Sequence, residues 1–366
     1  MKILLLADAG SEHTEKWAIG LAELGFEIGL FSLHPASYPW YDKHENILYL
    51  NSDFIDNQRQ TAFPKLAYLK LIPLLKQTIK NFKPDLIHAH YASSYGLLAR
   101  LSQFRPYYIS AWGTDVMKFP DKNFIYCAIL KKNLKNASKV FATSQTIKDY
   151  ILRVVEIDIE IIPFGVDLNQ FKPAKGLPLF EKDTLVIGAI KVLTSIYCID
   201  VLISAFAEVA KRNPEIKIGL LIVGEGPLRN KLEKQCENLG IQNQVIFTGR
   251  IDFSDVSNYF NSCDIFVNIS EYESFGVSVI EASACEKPVI VSDVGGLREI
   301  VDEGINGLKV PPRNIQETVI AIEKLLNNKA LRIEMGKNGR KKVEEKYDWK
   351  NNLQQMSKWY LNENKS

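Results

Sequence analysis

Long hydrophobic runs are missing from this chain: no stretch reaches the roughly 18 uninterrupted apolar residues that a spanning helix needs. The opening segment MKILLLADAG meets Asp8 after five apolar residues, too few for the apolar core of a signal peptide. A soluble or peripheral protein is the expectation, located in the cytoplasm. Cysteine is scarce too. Cys127, Cys198, Cys236, Cys263 and Cys285 stand far apart with no paired spacing, which argues against a disulfide scaffold or a zinc knuckle. They read as reduced core thiols. Excess charge of one sign is also lacking: the formal net charge of +2 argues against a general nucleic-acid binder. No short repeat period appears, so a solenoid is not expected.

What is present is an ordinary globular balance, 46% hydrophobic and 24% charged. A length of 366 residues exceeds what one core usually organises, so two domains are expected. Strand-like apolar runs alternate with helical patterns. The first series is KILLLAD, a helix over 14–24, EIGLFSL, a helix over 66–81, DLIHAHY, YYISAWG, KVFATS and EIIPFGVD. The second is LVIGAI, a helix over 199–212, IGLLIVG, a helix over 226–239, QVIFTG, IFVNIS, PVIVSD and GLKVPP. Such alternation predicts parallel βαβ units and an α/β chain of two Rossmann-like domains. The boundary falls where GVDLNQFKPAKGLP collects Pro and Gly, giving domains over 1–168 and 169–345 and a final helix within 346–366. That tail offers Trp349, Met356, Trp359 and Tyr360 for packing.

Open parallel sheets bind ligands beyond the carboxyl ends of their strands, so the residues just after each strand are the candidates. VGEGPL follows a strand and opens a helix, where Gly224 and Gly226 would let backbone approach a ligand or serve the turn alone. Gly249 and Arg250 end the next strand. Glu273, Ser274, Phe275 and Gly276 then lead into a helix whose N-terminal N–H groups suit an anion such as a diphosphate. Glu273 and Glu281 are separated by slightly over two turns and would share a face if helix covers most of the interval. They read either as sugar and ribose contacts or as a helix-start charge and a salt-bridge partner. His88 and His90 flank Ala89, and strand alternation sends both to one side. No third ligand stands at a useful spacing, so hydrogen-bonded structure is preferred to metal. Asp115, after AWGT, would orient an acceptor hydroxyl or cap the next segment.

Taken in order, IHAHYASSYGLLA, WGTDV, IIPFGVD, IDVLI, IVGEGPLR, FTGR, and the stretch from Glu273 through EASA, PVIVSDVGGL and NGLKVPP resemble the retaining nucleotide-sugar glycosyltransferases of the fourth glycosyltransferase family. The resemblance runs over nearly the whole chain and implies a GT-B fold, two Rossmann-like domains facing across a cleft with the last helix crossing back to the first. It implies a nucleoside-diphosphate sugar as donor substrate, a glycan or lipid-linked glycan as acceptor, a place in bacterial envelope polysaccharide synthesis, and no metal or other cofactor. Helix dipoles and basic side chains would then neutralise the leaving diphosphate. By the same resemblance Glu273 contacts the donor sugar and Glu281 the ribose. The backbone of Phe275, Gly276 and Val277 receives the diphosphate. Gly10 and Ser11 approach the donor with His13 close by, and His90 and Asp115 lie near the reacting carbon and the acceptor.

The sequence departs from that pattern where the family places phosphate-binding Arg and Lys and a helix-opening Gly. Val192, Ile196 and Cys198 stand there, with Lys191 adjacent and Arg250 on a neighbouring loop as substitutes, and Glu286 replaces another Gly. Each charge-assisted phosphate contact is worth roughly 1.5–3 kcal/mol, so their loss admits a non-catalytic partner subunit as a rival reading. An epimerase of similar fold is a second rival. A further feature is basic: no acid occurs from Asn57 to Pro84, while Arg59, Lys65, Lys70, Lys76, Lys80 and Lys83 do. FIYCAILKKNLKNASK, over 124–139, has the same character, and both suit an anionic membrane surface or a packed helix with lysines in water.

Overall fold

A computed structural model describes residues 1–51 and 70–363. Arg59, Lys65 and the start of the helix expected from residue 66 lie outside the described residues. The chain divides into two compact units, Met1–Phe164 with Asn351–Ser366, and Gly165–Lys350.

The first unit holds a sheet of seven strands: β1 (Lys2–Leu6), β2 (Glu27–Phe31), β3 (Ile47–Tyr49), β4 (Leu86–His90), β5 (Tyr107–Ala111), β6 (Lys139–Ala142) and β7 (Glu160–Ile161). Their order is β3-β2-β1-β4-β5-β6-β7. Every adjacent pair is parallel. Ile3, Leu4, Leu5, Leu86, Ile87 and Ile109 are wholly buried, which is why the strands read as continuous apolar runs: helices cover both faces of a parallel sheet. The short strand β3 has no alternation long enough to be seen in sequence. Of the basic stretch, the helix Ile72–Phe82 buries Leu75, Thr78 and Phe82 and turns Lys76 and Lys80 to solvent. It is a packed helix with its lysines in water.

The second unit holds six strands: β8 (Leu185–Ile190), β9 (Ile218–Val223), β10 (Val245–Phe247), β11 (Ile265–Asn268), β12 (Val289–Ser292) and β13 (Gly307–Val310). Their order is β10-β9-β8-β11-β12-β13, again all parallel. The helix Ile199–Arg212 follows its expected bounds and buries Val201, Leu202, Ala205, Phe206 and Val209 against β8 and β9. The helix expected over 226–239 begins three residues later, as Arg229–Asn238, because Pro227 and Leu228 form a turn before it.

The last helix, Trp349–Glu363, enters the first unit from Asn351 onward. Tyr360 and Met356 are buried there, and Tyr360 Oη lies 2.5 Å from His88 Nδ1. His88 Nε2 meets Ser110 Oγ at 2.9 Å. Both ring nitrogens of His88 are thus occupied. Trp359 stays half-exposed beneath the Lys139 ammonium, 4.3 Å from its ring centroid.

In both sheets the strand order reverses at the first strand of the unit, between β1 and β4 and between β8 and β11. Ligand sites of open α/β sheets form at such switch points, beyond the carboxyl ends of the two strands.

Candidate functional site

At the switch point of the second unit, β8 ends at Ile190 and β11 at Asn268, so their exit loops lie side by side. Glu271 N donates to Ile196 O at 2.8 Å and ties the two loops together. Lys191 and Glu273 meet there: Nζ donates to Oε2 at 2.7 Å, with the side chains only 12% and 13% exposed. The Lys191 ammonium also lies 4.8 Å from the Tyr197 ring centroid. Lys191, which strand alternation alone left free to point either way, is directed at Glu273.

The helix after Glu273 covers only Val277–Ala284. This corrects the expectation of a shared helical face: Glu273 belongs to the loop before the helix and Glu281, half-exposed, to its second turn. Gly276 opens the helix at φ +109°, a left-handed conformation that suits glycine, and as the N-cap residue it brings no side-chain cap of its own. A Cβ added at Gly276 would lie 3.7 Å from Glu273 Cγ, so the carboxylate stem sits beside the helix start. Ser278 Oγ in the first turn is buried with no hydrogen-bond partner among the described residues. Val277 is half-exposed, and Phe275 directs its ring inward to pack edge-on against Tyr347 at 5.7 Å.

Gly295 and Gly296 were part of the sequence pattern but had no role until the structure supplied one. A Cβ on Gly295 would fall 1.9 Å from Glu273 O, and one on Gly296 2.5 Å from Ser274 O. Gly296 N donates to Glu273 O at 3.1 Å. The loop after β12 therefore presses on the backbone of Glu273 and Ser274 and sets their position. The GG pair after PVIVSD was the available signal.

Of the two readings of Gly224 and Gly226, the structure supports the turn. Their Cβ positions are taken by protein backbone, since one would lie 2.0 Å from Lys191 O and the other 2.5 Å from Leu193 O. Lys191 N donates to Val223 O at 2.9 Å, and Leu193 N to Glu225 O at 3.0 Å. The two glycines let the β9 exit lie against the β8 exit and so position Lys191. Arg250 is exposed on its loop after Gly249.

The departures from the family pattern resolve differently from one another. Val192 is 55% exposed and brings no charge. Cys198 adopts φ +52° and Glu286 φ +56°, so both keep the left-handed backbone expected of glycine. Cys198 Sγ lies 3.6 Å from an Arg313 guanidinium nitrogen, and Arg313 also meets Asp200 at 3.3 Å and Glu271 at 3.7 Å. Sequence reasoning did not single out Arg313, which lies more than a hundred residues from Cys198 and Asp200.

At the switch point of the first unit, Gly10 is exposed after β1 and donates its N–H to Asp8 Oδ1 at 3.0 Å. Ser11 opens the helix Glu12–Glu23 without capping it through its side chain. His13 stacks on Phe164 with centroids 4.1 Å apart and meets Trp112 edge-on at 5.9 Å. His90 lies 4.6 Å from Trp112 and 4.7 Å from His88, and its Nδ1 is buried without a partner among the described residues. Burial, helped by the neighbouring His13, pushes the His90 imidazolium pKa down to about 3; burial, with Lys16, pushes that of His13 to about 4. Both rings are neutral near pH 7.

His90 and Asp115 depart from their expected places as groups that meet the substrate. His90 is 2% exposed and lies beneath Trp112. Asp115 is 1% exposed, with its carboxylate accepting from Ala92 N at 2.7 Å, Gly113 N at 2.8 Å and Trp112 N at 3.3 Å. Desolvation raises its pKa while these backbone donors pull the other way. The carboxylate ties the exits of β4 and β5 together.

Two family models match the chain: "Glycosyl transferases group 1" over residues 173–342 and "Glycosyl transferase 4-like" over residues 2–144. An uncharacterized glycosyltransferase of Methanocaldococcus jannaschii is 28% identical over 87% of this chain and 88% of its own length. Mannosylfructose-phosphate synthase of Agrobacterium fabrum is 24% identical over 96% and 86%. Among solved structures, sucrose-phosphate synthase from Thermosynechococcus elongatus superposes with a TM-score of 0.84 at 23% identity, covering 99% of this chain and 98% of that one. Anabaena HepE in complex with UDP gives 0.80 at 21%, covering 99% and 100%. Two parallel α/β units and two glycosyltransferase family models in chain order give this chain the GT-B fold, the 4-like model matching its first unit and the group 1 model its second.

Proposed function

We propose that this chain transfers a sugar, with retention, from a nucleoside diphosphate to a hydroxyl of a glycan or lipid-linked glycan, in the synthesis of envelope polysaccharide. The observation that carries the reading is the Lys191–Glu273 pair beside the glycine-opened start of the helix Val277–Ala284. A diphosphate placed there would meet the N–H groups of Gly276 and Val277 and the Lys191 ammonium. These supply the positive potential that a leaving nucleoside diphosphate requires, so the reading includes no metal or other cofactor. Glu273, released from Lys191 by the competing phosphate, would accept hydrogen bonds from the donor sugar, and Glu281 from the ribose. UDP bound to HepE at this fold supports a nucleotide-sugar donor.

In this reading the acceptor hydroxyl attacks the anomeric carbon on the face the diphosphate leaves. A donor phosphate oxygen takes the hydroxyl proton as the new glycosidic bond forms. The protein contributes position and charge, not a covalent intermediate. Asp115 and His90 act by fixing the loops after β4 and β5, near Gly10, Ser11 and His13.

Calorimetric titration of UDP, GDP, ADP and CMP into wild type, Lys191→Ala and Glu281→Ala tests the donor site. One nucleotide should bind, and each substitution should weaken it by about tenfold, the value of one lost charge-assisted contact. A binding-only partner subunit is favoured by uncharged Val192 and Ile196. It would be indicated by tight assembly with another transferase and no binding of any of the four nucleotides.

A further inference from the structure

Phe124 is 82% exposed and Ile125 54% exposed, adjacent on the first turn of the helix Phe124–Asn136. This turn is well anchored. Asn123 Oδ1 accepts from Tyr126 N at 3.1 Å, and Tyr126 packs on Phe119 with centroids 4.8 Å apart. The helix buries Leu130, Asn133 and Leu134, so its opposite face is the free one. At 3.6 residues per turn, Ala128, Lys131 and Lys135 continue the line of Phe124, and Lys132 continues that of Ile125. All are exposed.

The charge on this face is of one sign. No acid occurs between Asp121 and Asp149. Of the lysines in that span, Lys139 is paired with Asp158 and Glu160, and Lys148 donates to Ile159 O. Lys131, Lys132 and Lys135 make no ion pair with any described residue. The basic helix Ile72–Phe82 differs, since it turns its large apolar residues inward.

We propose that the outer face of the helix Phe124–Asn136 docks on an anionic lipid bilayer, with Phe124 and Ile125 inserted at the level of the acyl chains and Lys131, Lys132 and Lys135 on the phosphate headgroups. An acidic protein would satisfy the lysines but leave two neighbouring apolar side chains without a site. A bilayer interface takes both, because lysine stems lie along apolar surface while their ammonium groups reach the headgroups. The helix N-terminus, at the inserted end, adds positive potential of its own. The surface is independent of the donor site, and its test uses no nucleotide.

Flotation of the full chain with vesicles decides the matter. Vesicles of phosphatidylcholine containing phosphatidylglycerol should carry the protein, pure phosphatidylcholine should not, and added salt should release it. Phe124→Ser with Ile125→Ser should weaken binding about tenfold. Each of Lys131→Gln, Lys132→Gln and Lys135→Gln should weaken it about fivefold. Thermal melts of these surface variants should match wild type. Should the double serine variant melt early, Phe124→Trp replaces it, and its added emission should shift to the blue on anionic vesicles only. Failure to float, equal flotation on neutral lipid, or flotation that the helix variants leave unchanged overturns the proposal. So does self-association abolished by the serine variant in a chain that ignores vesicles, which would make a second copy the occupant.

Discussion

Lys191 and Glu273 are held as an ion pair with both side chains little exposed, so each desolvated charge relies on the other. Removing one partner alone leaves a buried, uncompensated charge. Lys191→Met should therefore cost about 3 kcal/mol in urea unfolding, and adding Glu273→Gln should restore most of that loss. Equal losses in the single and double variants would show that the pair is not coupled. The histidines of the first unit act through protons instead. His88, His90 and His13 all have folded pKa values below the ordinary 6.5, chiefly through burial. The unfolded chain then binds more protons than the folded one once pH falls below 6.5, so stability is complete above that value and declines as pH drops toward 4 and 3. Each affected histidine contributes a slope of about 1.4 kcal/mol per pH unit in that window. The unfolding free energy should fall between pH 6.5 and 5, and His90→Phe should remove one proton's share of the slope. A profile that is flat in wild type would refute the burial argument.

Elements carry the departures from the family pattern. The turn after the helix Val277–Ala284 places Glu286 at φ +56°, and the one before the helix Ile199–Arg212 places Cys198 at φ +52°. In both, the backbone keeps the left-handed shape and the side chain bears the steric cost. Glu286 is half-exposed and its carboxylate has no hydrogen bond among the described residues, so Glu286→Gly should raise stability by up to about 1 kcal/mol. A lower thermal midpoint would mean the carboxylate has a partner that outweighs the relief. Cys198 is a poorer choice for the same change, because its buried Sγ packs beside Arg313. Helix starts show why element boundaries slipped. Gly226 looked like the opening of a helix, but its missing Cβ accommodates Leu193 backbone and the helix waits until Arg229.

For the whole molecule, the second unit is continuous from Gly165 to Lys350, whereas the first returns for Asn351–Ser366. A fragment over 165–350 should fold cooperatively by circular dichroism, since its sheet and core come from its own residues. A fragment over 1–164 alone should not, because it lacks Tyr360 and Met356 and leaves His88 Nδ1 without a partner. Linking residues 351–366 to it should restore folding, and a stable 1–164 would refute that dependence. By itself the sequence determined the two α/β units, nearly every strand and the bounds of the helix Ile199–Arg212. Continuous apolar runs and 3.6-residue periodicity are local, and they survive translation into structure. It also located the loops after β8 and β11, because polar residues after buried strands are visible in one dimension. Tertiary structure decided which of those residues meet. Lys191 reaches Glu273 across 82 positions, Gly224 serves the backbone of Lys191, Gly295 shapes the loop of Glu273, and Asp115 and His90 turn inward. Parallel pairing sets each of these contacts between distant segments, and no local pattern records it.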